Sequence, residues 1–246
     1  MTNLPFPMMG TVLIGIFFNL AWASGYETTS GDIRSKDQMQ SFRYIGVTKH
    51  VDLDSFQGNI KGVELECSQD ADGKIGFCSN KNCQNGGGKD NKGVHISAEY
   101  AEFIENYGYK CVAMMQQKHN CGGRAAFCGI GGHAKRNARK NGDTGVPSRH
   151  STGDAMDVSG SLMCNGKKIV EFTKNGRNNK SQAYDDFKKC WDEQVQEAVK
   201  REPNKYKANN GGCIGCTGSP GKNNDGHNDH IHISAPIIRK EPISNT

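Results

Sequence analysis

The chain has 246 residues, enough for one ordinary domain with extensions or for two small ones. With 35% hydrophobic and 23% charged residues it can bury a core under a very polar surface, and 31 glycines point to long loops around that core. The net charge of +5 is mild and scattered apart from one cluster at Lys135, Arg136, Arg139 and Lys140, which argues against a nucleic-acid binder and suits an anionic polymer such as a cell wall.

An apolar run from Met8 to Leu20 ends in Ala21-Trp22-Ala23, a small-x-small cleavage pattern ahead of Ser24. Residues 1–23 therefore read as a secretory signal peptide, although no Lys or Arg precedes the run. The run is short for a membrane-spanning helix, so the mature chain is expected to be exported, periplasmic or extracellular, with no stable membrane anchor. All ten cysteines (Cys67, Cys78, Cys83, Cys111, Cys121, Cys128, Cys164, Cys190, Cys213 and Cys216) follow the cleavage site. In an oxidising compartment they allow up to five disulfides, with the pairing left open by spacing. Cys213 and Cys216, and likewise Cys78 and Cys83, are expected in disulfides, because the C-x-x-C pair has no matching second pair to complete a zinc site.

Residues 24 to about 60 are polar and mixed, an extension or an early hairpin. "GVELECS", 62–68, alternates Val63, Leu65 and Cys67 against Glu64 and Glu66, as a half-buried strand does. Asp70-Ala-Asp72-Gly73 imitates a calcium loop, but Ser68 and Ser79 stand where its first and last carboxylates belong, so it reads as a turn into a second short strand. "CQNGGGKDNKG", 83–93, is a flexible linker without the Lys-Ser/Thr of a P-loop, and it closes an N-terminal extension over 24–90.

A domain over 91–246 follows. Ser97 caps a helix with Tyr100, Phe103, Ile104 and Tyr107 on one face. Gly108 is expected to stop it, and "YKCVAMM" to form a strand. Residues 119–147 read largely as loop, "DAMDVSGSLMC" and "KKIVEF" as strands. Ser181 caps a long amphipathic helix carrying Tyr184, Phe187, Trp191, Ala198 and Val199. A Gly/Asn-rich loop over 208–228 delivers the chain into "HNDHIHISAPII", a last strand. The mixture without regular alternation predicts α+β: a small antiparallel sheet flanked by helices and disulfide-rich loops.

In a strand, side chains two apart share a face. His230 and His232 then point one way while Ile231 and Ile233 enter the core, and Asp157 lies on the face opposite Met156 and Val158. Gly153 allows the sharp return that brings His150 back towards Asp157. His150, Asp157 and His232 would give zinc two nitrogens and an oxygen, with the fourth tetrahedral position open, the arrangement of catalytic rather than structural zinc. Asp229 and His230 are placed to move the proton of an activated water.

Ser148-Arg-His150-Ser-Thr-Gly153-Asp-Ala155-Met-Asp157 resembles the SxHxxGxAxD signature of the D-Ala-D-Ala carboxypeptidase/dipeptidase family of zinc peptidases, a group that includes lysostaphin-like and hedgehog-like folds. His227-Asn-Asp229-His230-Ile-His232 resembles the HxDHxHxD ending of the extensin-like bacterial domains. The resemblance covers residues 95 to 235. It implies His150, Asp157 and His232 as zinc ligands, Asp229 as general base and His230 as its assistant at the water or oxyanion. It implies Ser148 as a loop anchor or substrate contact. Relatives also carry an arginine that holds a substrate carboxylate or carbonyl; Arg124 is the nearest equivalent here and Arg136 the next. The implied activity is hydrolysis of an amide in peptidoglycan peptides, by carboxypeptidase or endopeptidase action. The alternative is a hedgehog-like zinc-containing binding module with weak or no catalysis.

Overall fold

The structure is a computed structural model that describes residues 42–67, 74–83, 93–139, 143–172, 181–207 and 230–239. The expected signal segment, the calcium-like turn at 70–73, the Gly-rich linker, Cys213, Cys216 and Asp229 lie outside those residues. As predicted, the fold is α+β, with small sheets and few helices.

The first described strands form a hairpin, β1 (Val47–Ser55) and β2 (Gly58–Leu65), turning over Phe56 and Gln57. β1 exposes most of its side chains and buries Leu53 and Ser55 near its end, whereas β2 buries Val63 and Leu65. β2 pairs with β4 (Val94–Ser97), and β3 (Gly76–Cys78) runs parallel to β5 (Ala125–Cys128). These pairings stitch the stretch before residue 90 into the same sheets as the stretch after it. The expected boundary at 90 is therefore corrected: residues from Ser41 onward form one compact unit, because strand partners lie on both sides of the linker.

Ser97 caps α1 (Ala98–Phe103) as expected, its Oγ accepting from the Tyr100 amide at 3.0 Å. The helix does not stop at Gly108. It passes through a π-helical turn, Ile104–Gly108, into α2 (Tyr109–Lys118), so the expected strand over "YKCVAMM" is helix. The apolar positions Cys111, Val112 and Met115 have helical as well as strand-compatible spacing, and they face the core. Gly108 keeps right-handed helical angles. Its role is close approach, since a Cβ there would lie 2.9 Å from the Trp191 ring. Trp191 belongs to α3 (Gln182–Arg201), which Ser181 caps as expected and which a Cys111–Cys190 disulfide ties to α2.

Residues 119–147 also differ from expectation. β5 lies inside a four-stranded sheet in the order β11 (Lys167–Glu171), β10 (Ser161–Cys164), β5, β3, and every residue of β5 is buried. Two short strands, β7 (Asn137–Arg139) and β8 (Asp143–Pro147), make a separate pair. "DAMDVSGSLMC" splits at Ser159-Gly160 into β9 (Ala155–Val158) and β10, which enter different sheets. β9 is the middle strand of a three-stranded sheet between β6 (Ile130–Gly131) and β12 (Ile231–Ser234).

The principal hydrophobic cluster gathers Val63, Leu65, Phe77, Phe127, Met156, Val158, Ile231 and Ile233 from the strands with Tyr100, Phe103, Phe187 and Trp191 from the helices. Four disulfides, Cys67–Cys78, Cys83–Cys128, Cys111–Cys190 and Cys121–Cys164, account for every described cysteine. Cys78 and Cys83 are both bonded, though not to each other. The Cys111–Cys190 bridge closes the longest loop, a separation of 79 residues, and on chain-entropy grounds contributes about 4.5 kcal/mol. Among the described residues no helix is long and apolar enough to cross a membrane.

Candidate metal centre

Antiparallel pairing of β9 with β12 sets Asp157 directly opposite His232. Both side chains stand on the face away from the core, while their neighbours Met156, Val158, Ile231 and Ile233 are fully buried. The alternation read in the sequence thus holds. His232 Nδ1 lies 2.9 Å from Asp157 Oδ1.

His150 arrives from a tight turn rather than from a strand. The Gly153 amide donates to the His150 carbonyl and the Asp154 amide to the Arg149 carbonyl, folding 149–154 on itself. Gly153 has φ +72° there, and a Cβ would come within 2.6 Å of both the Ser97 amide nitrogen and a Leu53 methyl. Left-handed backbone and close contact together require glycine at this position. The turn places His150 Nε2 at 3.1 Å from Asp157 Oδ1 and 3.2 Å from His232 Nδ1. His150 Nδ1 is 2.9 Å from the Gly132 carbonyl, which can only accept, so Nδ1 carries a proton and Nε2 is the nitrogen turned towards Asp157 and His232.

His150, Asp157 and His232 each offer one ligand atom, all within 4.8 Å of one another, and this group could hold a metal ion. Two imidazoles and a carboxylate suit a first-row divalent metal, and a fixed tautomer with an outer hydrogen bond is how metal-binding histidines are ordinarily oriented. Burial by itself would push the Asp157 carboxyl up, but hydrogen bonds with His150, His230 and His232 outweigh it and hold the carboxyl well below the usual carboxylate range. Asp157 is therefore an anion throughout the neutral and mildly acidic range.

The other expected site residues separate. His230 stands beside the cluster, its Nε2 3.3 Å from Asp157 Oδ1. Arg136 reaches the other carboxylate oxygen, Nη2 to Oδ2 at 3.0 Å. Ser148 holds the turn through its backbone: its amide donates to the Arg136 carbonyl, and its own carbonyl accepts from Ser151 N and Oγ. Its Oγ is buried and makes no hydrogen bond among the described residues. Arg124 sits at the end of β5 opposite to β6, exposed, lining a surface hollow with Ala126, Met163, Asn165 and Gly166 on the other sheet.

Sequence reasoning missed the groups that hold the ligands in place. Asp154, 1% exposed, accepts from Ser97 Oγ and Thr152 Oγ1, both at 2.7 Å, and from Arg239 Nε at 3.0 Å and Nη2. Arg239 also donates to Glu99 at 2.8 Å. This network locks the His150 turn to the start of α1 and to the segment after β12. β12 is further pinned by Tyr100 Oη donating to the Ile233 carbonyl at 2.9 Å and Trp191 Nε1 to the Ser234 carbonyl at 3.1 Å. Asp154 lay inside the motif between Gly153 and Ala155, but nothing local distinguished it from a solvated turn residue.

No family model, no curated protein and no solved structure matches this chain.

Proposed function

We propose that this chain is an exported zinc metallopeptidase that hydrolyses an amide bond in the peptide moiety of bacterial peptidoglycan. The observation that carries the reading is the meeting of His150, Asp157 and His232, drawn from a turn and two paired strands, around one position. Bound there, zinc would supply Lewis acidity towards a carbonyl oxygen and towards a water. Asp157 brings the negative charge that the ion requires, and the Gly132 carbonyl keeps the His150 imidazole in the tautomer that can ligate. His230, beside the carboxylate, is placed to donate to an oxygen that gains charge during attack. Asp229, three positions before His232, takes the proton and returns it to the leaving amine. Ser148 anchors the ligand turn through its backbone, its amide to Arg136 and its carbonyl to Ser151. Arg124 is left without a step.

The substrate class rests on the motif resemblance; four disulfides and a mildly basic chain are compatible with export and with an anionic wall polymer. The test is digestion of purified sacculi with the wild type, His150→Ala and Asp229→Ala, reading muropeptides by mass spectrometry and metal by elemental analysis. The expected pattern is loss of metal and cleavage for His150→Ala, and loss of cleavage with metal retained for Asp229→Ala. A zinc-loaded wild type that leaves the muropeptides unchanged would support the binding-module alternative.

A further inference from the structure

The contacts of Asp157 are divided between its two oxygens. His150, His230 and His232 all approach Oδ1, at 3.1, 3.3 and 2.9 Å, while the Arg136 guanidinium takes Oδ2 at 3.0 Å. A free carboxylate beside a divalent cation can offer one oxygen or two. Which it offers changes the coordination number by one, and with it the number of positions left for water or substrate.

Arg136 ends a strap over 132–136 that also serves His150. Gly132 supplies the carbonyl acceptor for His150 Nδ1, the Ala134 amide donates to the His150 carbonyl at 3.0 Å, and the Arg136 carbonyl accepts from Ser148 N at 3.0 Å. On its outer side the strap is tied to the β1–β2 hairpin. His133 Nε2 lies 2.9 Å from the Asp54 carbonyl, and Lys135 Nζ is 2.8 Å from the Asp54 carboxylate. Gly132 passes so close to β4 that a Cβ would meet the His95 carbonyl at 2.4 Å. The strap is thus held between the hairpin and the His150 turn, and the arginine it delivers is anchored at its own backbone.

We propose that Arg136 is a positioning residue for Asp157: it holds Oδ2 so that Oδ1 alone faces the ion, keeping the carboxylate a one-oxygen ligand and a coordination position open. This rests on the metal-centre reading above and reassigns Arg136 from substrate contact to ligand control. The geometry requires a planar donor already oriented at the carboxylate, which a lysine supplies only as a point charge. Loss of an outer partner of this kind ordinarily costs roughly 10- to 100-fold in metal affinity.

The test uses the full chain loaded with Co²⁺, whose visible absorption is more intense in four-coordinate than in five-coordinate sites. Affinity is read by competition with a chromophoric chelator, for the wild type, Arg136→Gln and Arg136→Lys, each checked for folding by circular dichroism. Arg136→Gln is expected to bind roughly 10- to 100-fold more weakly and with a weaker visible band, as Oδ2 swings onto the ion. Arg136→Lys is expected to recover part of the affinity but not the band intensity. A merely structural role would not move the spectrum. A folded Arg136→Gln protein with wild-type affinity and spectrum overturns the inference and leaves the metal centre standing. A folded wild type that binds no Co²⁺ overturns both.

Discussion

Two carboxylates three residues apart, Asp154 and Asp157, sit in surroundings that could hardly differ more. Asp154 is enclosed among Ser97, Thr152 and Arg239, whose hydroxyls and guanidinium are permanent donors, and together they satisfy both its oxygens. Asp157 is 19% exposed at its side chain and faces three imidazoles, groups with lone pairs of their own. A carboxylate ringed by donors is complete and has nothing left to bind. One ringed by imidazoles places several lone pairs around a single point, where a cation lowers the energy of all of them together. The first pocket builds the frame, and the second uses it.

Substitutions should separate the two pockets. The largest effect is expected for Asp154→Ala, which strips a buried ion pair of one partner, orphans the Ser97 and Thr152 hydroxyls and leaves Arg239 with Glu99 alone among its described carboxylate partners. A loss of about 3–5 kcal/mol in urea denaturation is expected. Asp157→Asn should fall well short of that in the metal-free protein, and equal losses would erase the distinction drawn here. Gly153→Ala comes next, at about 3 kcal/mol, from adopting left-handed backbone and from displacing Ser97 at the start of α1. Its signature is a lower unfolding midpoint in the metal-free state as well as in the loaded one.

Metal removal tests the second pocket alone. If the ion binds only the folded chain, a chelator should cost the wild type about 2.7 kcal/mol relative to metal at a hundredfold excess over Kd. His150→Ala should show the same melting temperature with and without chelator, and a chelator-sensitive His150→Ala would place the ion elsewhere. The smallest change is expected at the rim. Lys135→Ala removes an exposed pair with Asp54 on the hairpin side of the strap, and the expected loss is under about 1 kcal/mol with unchanged metal content. A larger loss would mean that the hairpin tip, and not only the Asp154 pocket, braces the ligands.

Much of the centre could be read from residues alone because its geometry is mostly local. Strand alternation put His230 and His232 on one face and Asp157 on the polar side of its own strand, and the capping serines 97 and 181 marked both principal helices. The failures share a cause. "YKCVAMM" fits a strand or a helix, and the choice fell to helix through Trp191 and the Cys111–Cys190 bridge, both distant in sequence. Gly108 looked like a terminator, yet its missing side chain serves a ring on another helix. "AAFC" is too short to declare itself beside glycines, and it became a buried central strand only because β10 and β3 flank it.

Sequence by itself determined the α+β class, the two capped helices, the abundance of disulfides and the identity of three ligand candidates, because each depends on near neighbours or on residue chemistry. Tertiary structure alone decided which cysteines pair, which donors enclose Asp154, and which arginine reaches Asp157. Those outcomes depend on segments far apart in the chain being brought within hydrogen-bonding distance, and no local pattern encodes which distant partner will arrive.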